Sequence, residues 1–355
     1  MLNINGKVPE SLCDLPSLTH LDLSYNNLTG GFPGAQLYAC SQLRFLDLSC
    51  NAFHGVLPDD ISRLSQAMEH LNLSANYFGG AVPAAVAELP ALRSLLLDTN
   101  QFTGEYPAAE ISKLTRLEQL TLAWNPSAPA PAPPKFAKLA NLSYLWMSEM
   151  NMTGEIPKAY SSLVNLQLIA ITKNNLTGEI PAWVWQHPKL EYLYLFANGL
   201  TGKLPRKIRS VNLIELDVSS NHLTGEIPED IGNLKNLTIL FMYTNQLTGI
   251  IPASIAMLPN LRDLRLFENL PKLTTLVIES NGFTGALPAE LSENISQIDI
   301  GNNKFSGFLP TSGTGLLVFK AANNLLFGEL PADMSKFANL TRLVLRGNQL
   351  TGSIP

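Results

Sequence analysis

His20, His54, His70, His187 and His222 are the side chains of this sequence best suited to proton transfer or metal ligation near neutral pH. His20 and His70 occupy equivalent places in a repeated pattern, with Phe45 between them and Asp22 and Asp47 alongside. Two imidazoles roughly 10 Å apart on stacked strands, flanked by carboxylates, are a conceivable metal site. Solvated surface is the better reading at that distance. Glu215 and Asp217 have the chemistry of a general acid and base, but alternate residues of one strand simply share an outward face. No nucleophile elbow, zinc motif or nucleotide loop occurs, and Thr311-Ser-Gly-Thr-Gly315 lacks the spacing of a phosphate loop and reads as a tight turn. The chain is read as non-catalytic, with no metal and no cofactor.

Binding chemistry is better represented. Rings and long side chains gather at outward strand positions of the central repeats: Trp124; Tyr144 and Trp146; Leu168 and Lys173; Tyr192, Tyr194 and Phe196; Phe241 and Tyr243; Arg265 and Phe267. The first repeats present His20, Asp22, Ser24, Asp47, Ser49, Asn72 and Ser74 instead. Exposed aromatic residues concentrated on one surface mark an interaction site. An extended peptide laid across the strands would meet a new one roughly every 1.5 residues. Rings would grip its apolar and proline side chains, and hydroxyls would bond its backbone. Rings packing on one another to stabilise the sheet is the competing reading; their central clustering favours the groove.

What must position these residues is a repeat of about 24 residues. Its pattern is Leu-x-x-Leu-x-Leu-x-x-Asn-x-Leu-x-Gly-x-Ile-Pro, seen clean from Leu213 to Pro228. The period predicts an α/β repeat fold, a leucine-rich-repeat solenoid of about 15 coils with a parallel inner sheet and loops or 3₁₀ turns on the back. The leucines point into each coil and alternate residues face out. Asparagine bonds the backbone where the strand turns, glycine permits a strained conformation, and proline stiffens the next bend. The expected rungs are Asn26, Asn51, Asn76, Asn100, Asn125, Asn174, Asn198, Asn221, Asn245, Asn269, Asn281, Asn303, Asn324 and Asn348, with Met150 replacing one. Residues 1–355 read as a single domain with two irregularities. Pro126-Ser-Ala-Pro-Ala-Pro-Ala-Pro-Pro134 is expected to be a rigid bypass in polyproline conformation, unable to pair as a strand, rather than an SH3-type ligand. Asn269 and Asn281 stand too close for a full coil between them, a half-repeat discontinuity over 269–281. The chain begins without a signal peptide and ends in mid-repeat, so a piece of a longer protein is expected.

Composition narrows the partners. Charged residues are 15% and the net charge is −5, too few and of the wrong sign for nucleic acid or an anionic membrane surface. No apolar run approaches the 18 or so residues of a membrane span. The cysteines number 3, Cys13, Cys40 and Cys50; a Cys13–Cys40 bridge across adjacent coils is one possibility, and Cys50 reads as a free, half-exposed thiol. Asn-x-Ser/Thr sequons stand at Asn27, Asn72, Asn141, Asn151, Asn175, Asn236, Asn294 and Asn339, each a glycan acceptor if the chain is secreted. Several arise because the repeat itself contains Asn-Leu-Thr.

The Leu-Thr-Gly-Glu-Ile-Pro form of the repeat, whole at 176–181 and 223–228, resembles the plant-specific subclass of leucine-rich repeats over the entire chain. Ser11-Leu-Cys-Asp-Leu15, the prolines after Trp124-Asn125, Tyr144-Leu-Trp-Met147 and Met334-Ser-Lys-Phe-Ala-Asn-Leu340 resemble ectodomains of plant receptor-like kinases, notably the HAESA-like group. The resemblance implies an extracellular sensor of secreted peptide hormones, acting with a smaller co-receptor leucine-rich-repeat kinase at the plasma membrane. The family's cysteine-paired cap, membrane helix and Ser/Thr kinase have no counterpart in these residues. Its paired Arg-x-Arg clamp for the peptide carboxylate is missing too: Arg265 has Asp263 and Phe267 as outward neighbours, and Arg342 and Arg346 stand apart. A secreted inhibitor or decoy binding a pathogen protein, a surface that binds ice, and an inert truncated product are the other readings.

Overall fold

Residues 4–261 and 274–355 are described in the computed structural model, and they divide into two units, Met1–Leu176 and Thr177–Pro355. The first unit stacks three-residue strands in parallel and in register: His20–Asp22, Phe45–Asp47, His70–Asn72, Ser94–Leu96, Gln119–Thr121, Tyr144–Trp146 and Leu168–Ala170. The middle residue of each is buried and its neighbours face out, as period-two alternation requires. The second unit repeats the device with Tyr192–Tyr194, Glu215–Asp217 and Ile239–Phe241, and again with Thr275–Val277, Gln297–Asp299, Val318–Lys320 and Arg342–Val344. Short 3₁₀ helices such as Ala84–Glu88 and Glu229–Asn233 close the coils, and single α-helical turns at Gly34–Leu37 and Ala108–Ile111 replace them twice.

A second ladder of strands, which the leucine pattern did not predict, runs through the Leu-Thr-Gly segments. In the first unit it joins Asn5–Gly6, Asn27–Gly30, Ala52–Val56, Tyr77–Gly80 and Gln101–Phe102. Every segment but Asn5–Gly6 buries one large residue, with Phe53, Phe78 and Phe102 each 1% exposed or less. The chain then escapes the coil through a glycine at positive φ, as at Gly55 (84°) and Gly104 (80°). That conformation is open to glycine at little steric cost.

The asparagine ladder has a specific geometry. Asn76 Nδ2 donates to Leu73 O and Ser74 O of its own coil at 3.2 and 3.1 Å, and to Leu48 O of the preceding coil at 2.9 Å. Its Oδ1 accepts Phe53 N–H at 3.1 Å. One side chain thus satisfies four backbone groups that the turn strands inside the core. The residue before each rung is held left-handed even without glycine: Tyr25, Cys50, Ala75, Thr99, Trp124 and their counterparts have φ between 51 and 56°. Such a conformation costs a β-branched residue most, and Thr99 and Thr244 accept it. An inter-coil hydrogen bond holds it, for example Thr99 N to Ala123 O at 2.8 Å.

One expectation is corrected. The proline segment does pair: Ala130–Pro131 lies parallel to Met152–Thr153. It does so at the edge of a three-stranded sheet, where a missing proline N–H leaves no ladder partner unmet. The absent rung explains the site. Met150 cannot accept the N–H two residues beyond Asn125, and Ser127 N–H turns back to Asn125 O at 2.7 Å instead. Asn174 Oδ1 compensates on the next coil by accepting both Met150 N–H and Met152 N–H at 3.0 Å. Further along the ladder, Leu247 N–H donates to Asn281 Oδ1 at 3.1 Å, across a chain separation of 34 residues. Asn269, expected as a rung between them, lies outside the described residues, as do Arg265 and Phe267.

Cys13 and Cys40 are joined by a disulfide, Cα to Cα 4.9 Å, which ties the Glu10–Asp14 turn to the chain leaving Gly34–Leu37. Cys50 is free and half-exposed. No helix among the described residues is long and apolar enough to cross a membrane.

Candidate functional site

Because the three-residue strands are in register, outward residues form columns. In the first unit one column runs His20, Phe45, His70, Ser94, Gln119, Tyr144, Leu168, and beside it runs Asp22, Asp47, Asn72, Leu96, Thr121, Trp146, Ala170. His20, Phe45 and His70 make one stack, with centroids 3.9 and 4.3 Å apart and planes within 9° and 5°. The phenyl ring fills the space between the imidazoles. Burial is the main influence on His70 and holds its pKa below the usual value, opposed by Asp47. Among the described residues no group of three or more His, Cys, Asp or Glu is placed to hold a metal ion.

Tyr144 and Trp146 are half-buried on one strand, and burial raises the Tyr144 phenol. Trp124 is not on a strand. It occupies the left-handed position before Asn125, at φ 56° and 43% exposed. Lys173, from the equivalent position of a later coil, places its Nζ 4.7 Å from the Trp124 ring centroid and 2.6 Å from Glu149. Trp124, Glu149 and Lys173 therefore form a row beside the strand columns, a grouping the strand pattern alone did not reveal.

In the second unit Tyr192, Tyr194 and Phe196 line one coil, and Phe241 and Tyr243 another, all half-buried. The Tyr192 and Tyr194 centroids are 6.4 Å apart and those of Phe241 and Tyr243 6.1 Å apart, distances at which rings interact. Glu215 and Asp217 lie on the strand between them, and the Tyr194 hydroxyl donates to Glu215. Burial raises the Asp217 carboxyl, while the Ser219 hydroxyl and N–H pull it down.

The sequons are not equivalent. Asn27, Asn141, Asn151, Asn175, Asn236, Asn294 and Asn339 are exposed. Asn72 is 9% exposed; its Nδ2 donates to Asp47 at 2.8 Å and its Oδ1 accepts the Ser74 hydroxyl at 2.7 Å. In protein secreted from a eukaryotic host, peptide mapping should find glycans among the exposed sequons and none on Asn72. A glycosylated Asn72 would contradict the burial argument. Asn141 and Asn339 also belong to a second row of asparagines that sequence reading missed: each donates Nδ2 to a carbonyl of the preceding coil, as Asn141 does to Thr115 O at 2.8 Å and Asn339 to Thr314 O at 2.7 Å. The recurring Asn-Leu before each strand was its signal.

The family model described as a leucine-rich repeat region matches residues 3–218, and leucine-rich-repeat models match 211–270 and 339–355. No curated protein matches the chain in sequence. Among solved structures, a TDR receptor is similar over 99% of this chain and 64% of its own, at 33% identity and TM-score 0.88. The Arabidopsis receptor kinase HAESA, solved with the peptide hormone IDA and the co-receptor SERK1, is similar over 98% of this chain and 65% of its own, at 31% identity and TM-score 0.83. The PEPR1–AtPEP1 complex gives 99%, 52%, 30% and 0.83 in the same terms. The chain thus spans between half and two thirds of the length of these solved structures.

Proposed function

The chain belongs to the leucine-rich-repeat family, and from that premise we propose that it recognises a secreted peptide through the outward residues of its strands, without catalysis, as the ligand-binding part of a receptor-kinase system. The observation that carries the reading is the placement of Tyr144 and Trp146 in one unit, and of Tyr192, Tyr194 and Phe241 in the other, at strand positions that face away from the core, with Phe196 and Tyr243 just beyond the strand ends. These rings are half-buried by their neighbours and still offer apolar surface. An extended peptide laid against them loses little rotamer freedom on the protein side, because each ring is already held. HAESA was solved with a peptide hormone and a co-receptor; the same two kinds of partner are proposed here. The Cys13–Cys40 disulfide supports an extracellular setting, since such bonds persist in oxidising compartments. Trp124, tied up by Lys173 and Glu149, is assigned to the margin of the surface.

The test is a binding screen of secreted plant peptides by calorimetry, followed by Trp146→Ala, Tyr194→Ala and Phe241→Ala singly. Buried aromatic anchors typically contribute about 2 kcal/mol each, so each variant should weaken the captured peptide roughly 30-fold with circular dichroism unchanged. Affinities untouched by all three substitutions would reject the reading.

A further inference from the structure

Four described strands carry aspartate as their third residue: Asp22, Asp47, Asp217 and Asp299. In each, Oδ1 accepts the backbone N–H two residues on, from Ser24 at 2.9 Å, Ser49 at 2.8 Å, Ser219 at 3.0 Å and Gly301 at 3.2 Å. This shared bond leaves Oδ2 for the residue in register on the following coil. Asn72 Nδ2 fills that role for Asp47 at 2.8 Å, and Lys320 Nζ fills it for Asp299 at 2.7 Å. Asp22 is exposed to water.

Asp217 departs from the pattern. It is 8% exposed, and its register neighbour is Phe241, which offers no donor. The Ser219 hydroxyl goes to Oδ1 as well, at 2.6 Å, so among the described residues Oδ2 receives no hydrogen bond. Nor does any described lysine or arginine pair with Asp217 or with Glu215. The carboxylate lies between Tyr194 on one coil and Phe241 on the next, with Tyr192 and Tyr243 beside them and Glu215 on the same strand face. Leaving a largely buried carboxylate oxygen without a donor is costly, and Asp47 and Asp299 are each given one by the next coil.

We propose that Asp217, Glu215 and the flanking rings form a subsite for a cationic side chain, a guanidinium of the bound peptide, which takes the place that Lys320 occupies against Asp299. The chemistry matches. Guanidinium is planar, stacks on aromatic faces and donates in a fork that two carboxylates can share. The inference rests on the peptide-recognition reading and deepens it by naming one side chain the ligand carries.

The experiment compares N-acetyl-arginine amide with its neutral isostere N-acetyl-citrulline amide, titrated into the chain and followed by NMR. The arginine probe should bind at least about 10-fold tighter. Its advantage should fade as pH falls and Asp217 takes up a proton, and Asp217→Asn should remove it. Phe241→Lys provides a second variant, one that installs an internal cation at the register position; it should fold and lose the arginine preference. Equal binding of the two probes, no binding of either, or a preference that survives both substitutions would overturn the proposal. The probe is one residue long, so an arginine preference without capture of any extended peptide would sink the wider reading and leave this subsite standing. Loss of peptide binding in Trp146→Ala alone, in the other unit, tests the wider reading without touching this subsite.

Discussion

Asn100→Ala should lower the free energy of unfolding by about 4 kcal/mol, counting several buried polar groups left unpaired at about 1–3 kcal/mol each and allowing for partial relaxation. Asn100 Nδ2 donates to Leu73 O at 2.9 Å, and to Leu97 O and Asp98 O at 3.2 Å, while Oδ1 accepts Phe78 N–H at 3.1 Å. The side chain is 6% exposed, so water replaces few of these bonds. Alanine strands all four backbone groups next to Thr99, which is held at φ 56° by its N–H bond to Ala123 O. A repeat protein is nearly one-dimensional in its energetics, so the damage should start locally: hydrogen exchange should quicken first at the amides of Phe78 and Thr99 and spread outward. Denaturant unfolding and exchange mass spectrometry together check this. A loss under about 1 kcal/mol, the worth of an ordinary single hydrogen bond, would show that the rung is dispensable. Met150 shows why that is not expected: where the chain does omit a rung, Ser127 turns back on Asn125 and Asn174 accepts twice. No such rearrangement is built around Asn100.

Much of this architecture was legible in the residues, and the reasons are physical. Leucine spacing reports which side chains must be buried, so the in-register strands and the rungs from Asn26 to Asn125 followed from it. It reports burial and not backbone pairing, which is why the second strand ladder and the pairing of Ala130–Pro131 came only with the structure. The bond from Leu247 N–H to Asn281 Oδ1 was illegible for another reason: spacing along the chain does not say which asparagine accepts from which coil. At the site, alternation placed Tyr144, Trp146, Tyr194 and Phe241 correctly on outward faces. It misplaced Trp124, which belongs to the left-handed column, because one residue of phase separates strand from turn. It also passed over Asp217 as one of two adjacent surface acids. The significance of Asp217 lies in its neighbour, Phe241, which stands where Asp47 has Asn72 and Asp299 has Lys320. That contrast is a property of coil-to-coil register.

Reducing the Cys13–Cys40 bond, or replacing both cysteines by serine, should cost about 3.5 kcal/mol on the loop-entropy account, in which a longer closed loop confers more stability; the bridge spans 27 residues. The effect should be confined to the first coils. Ile4 and Leu15 are 48% and 57% exposed there, so apolar burial holds this part of the chain weakly. The Asn5–Gly6 strand has a single neighbour, Asn27–Gly30. With the bridge open, the Glu10–Asp14 turn keeps little to hold it on the Gly34–Leu37 turn, and residues 5–30 should exchange amide hydrogen much faster. Residues 140–176, held by the Asn174 rung and the buried Tyr160, should not change. Fraying should also loosen the His20–Phe45 stack and leave Phe45–His70 in place, a difference visible in the histidine ring resonances. Unchanged protection at residues 5–30 under reducing conditions would show that coil stacking alone suffices at this end. A local loss would mean that the first coils are complete only where thiols are oxidised, which ties the integrity of this end of the fold to the compartment in which a secreted ligand would be met.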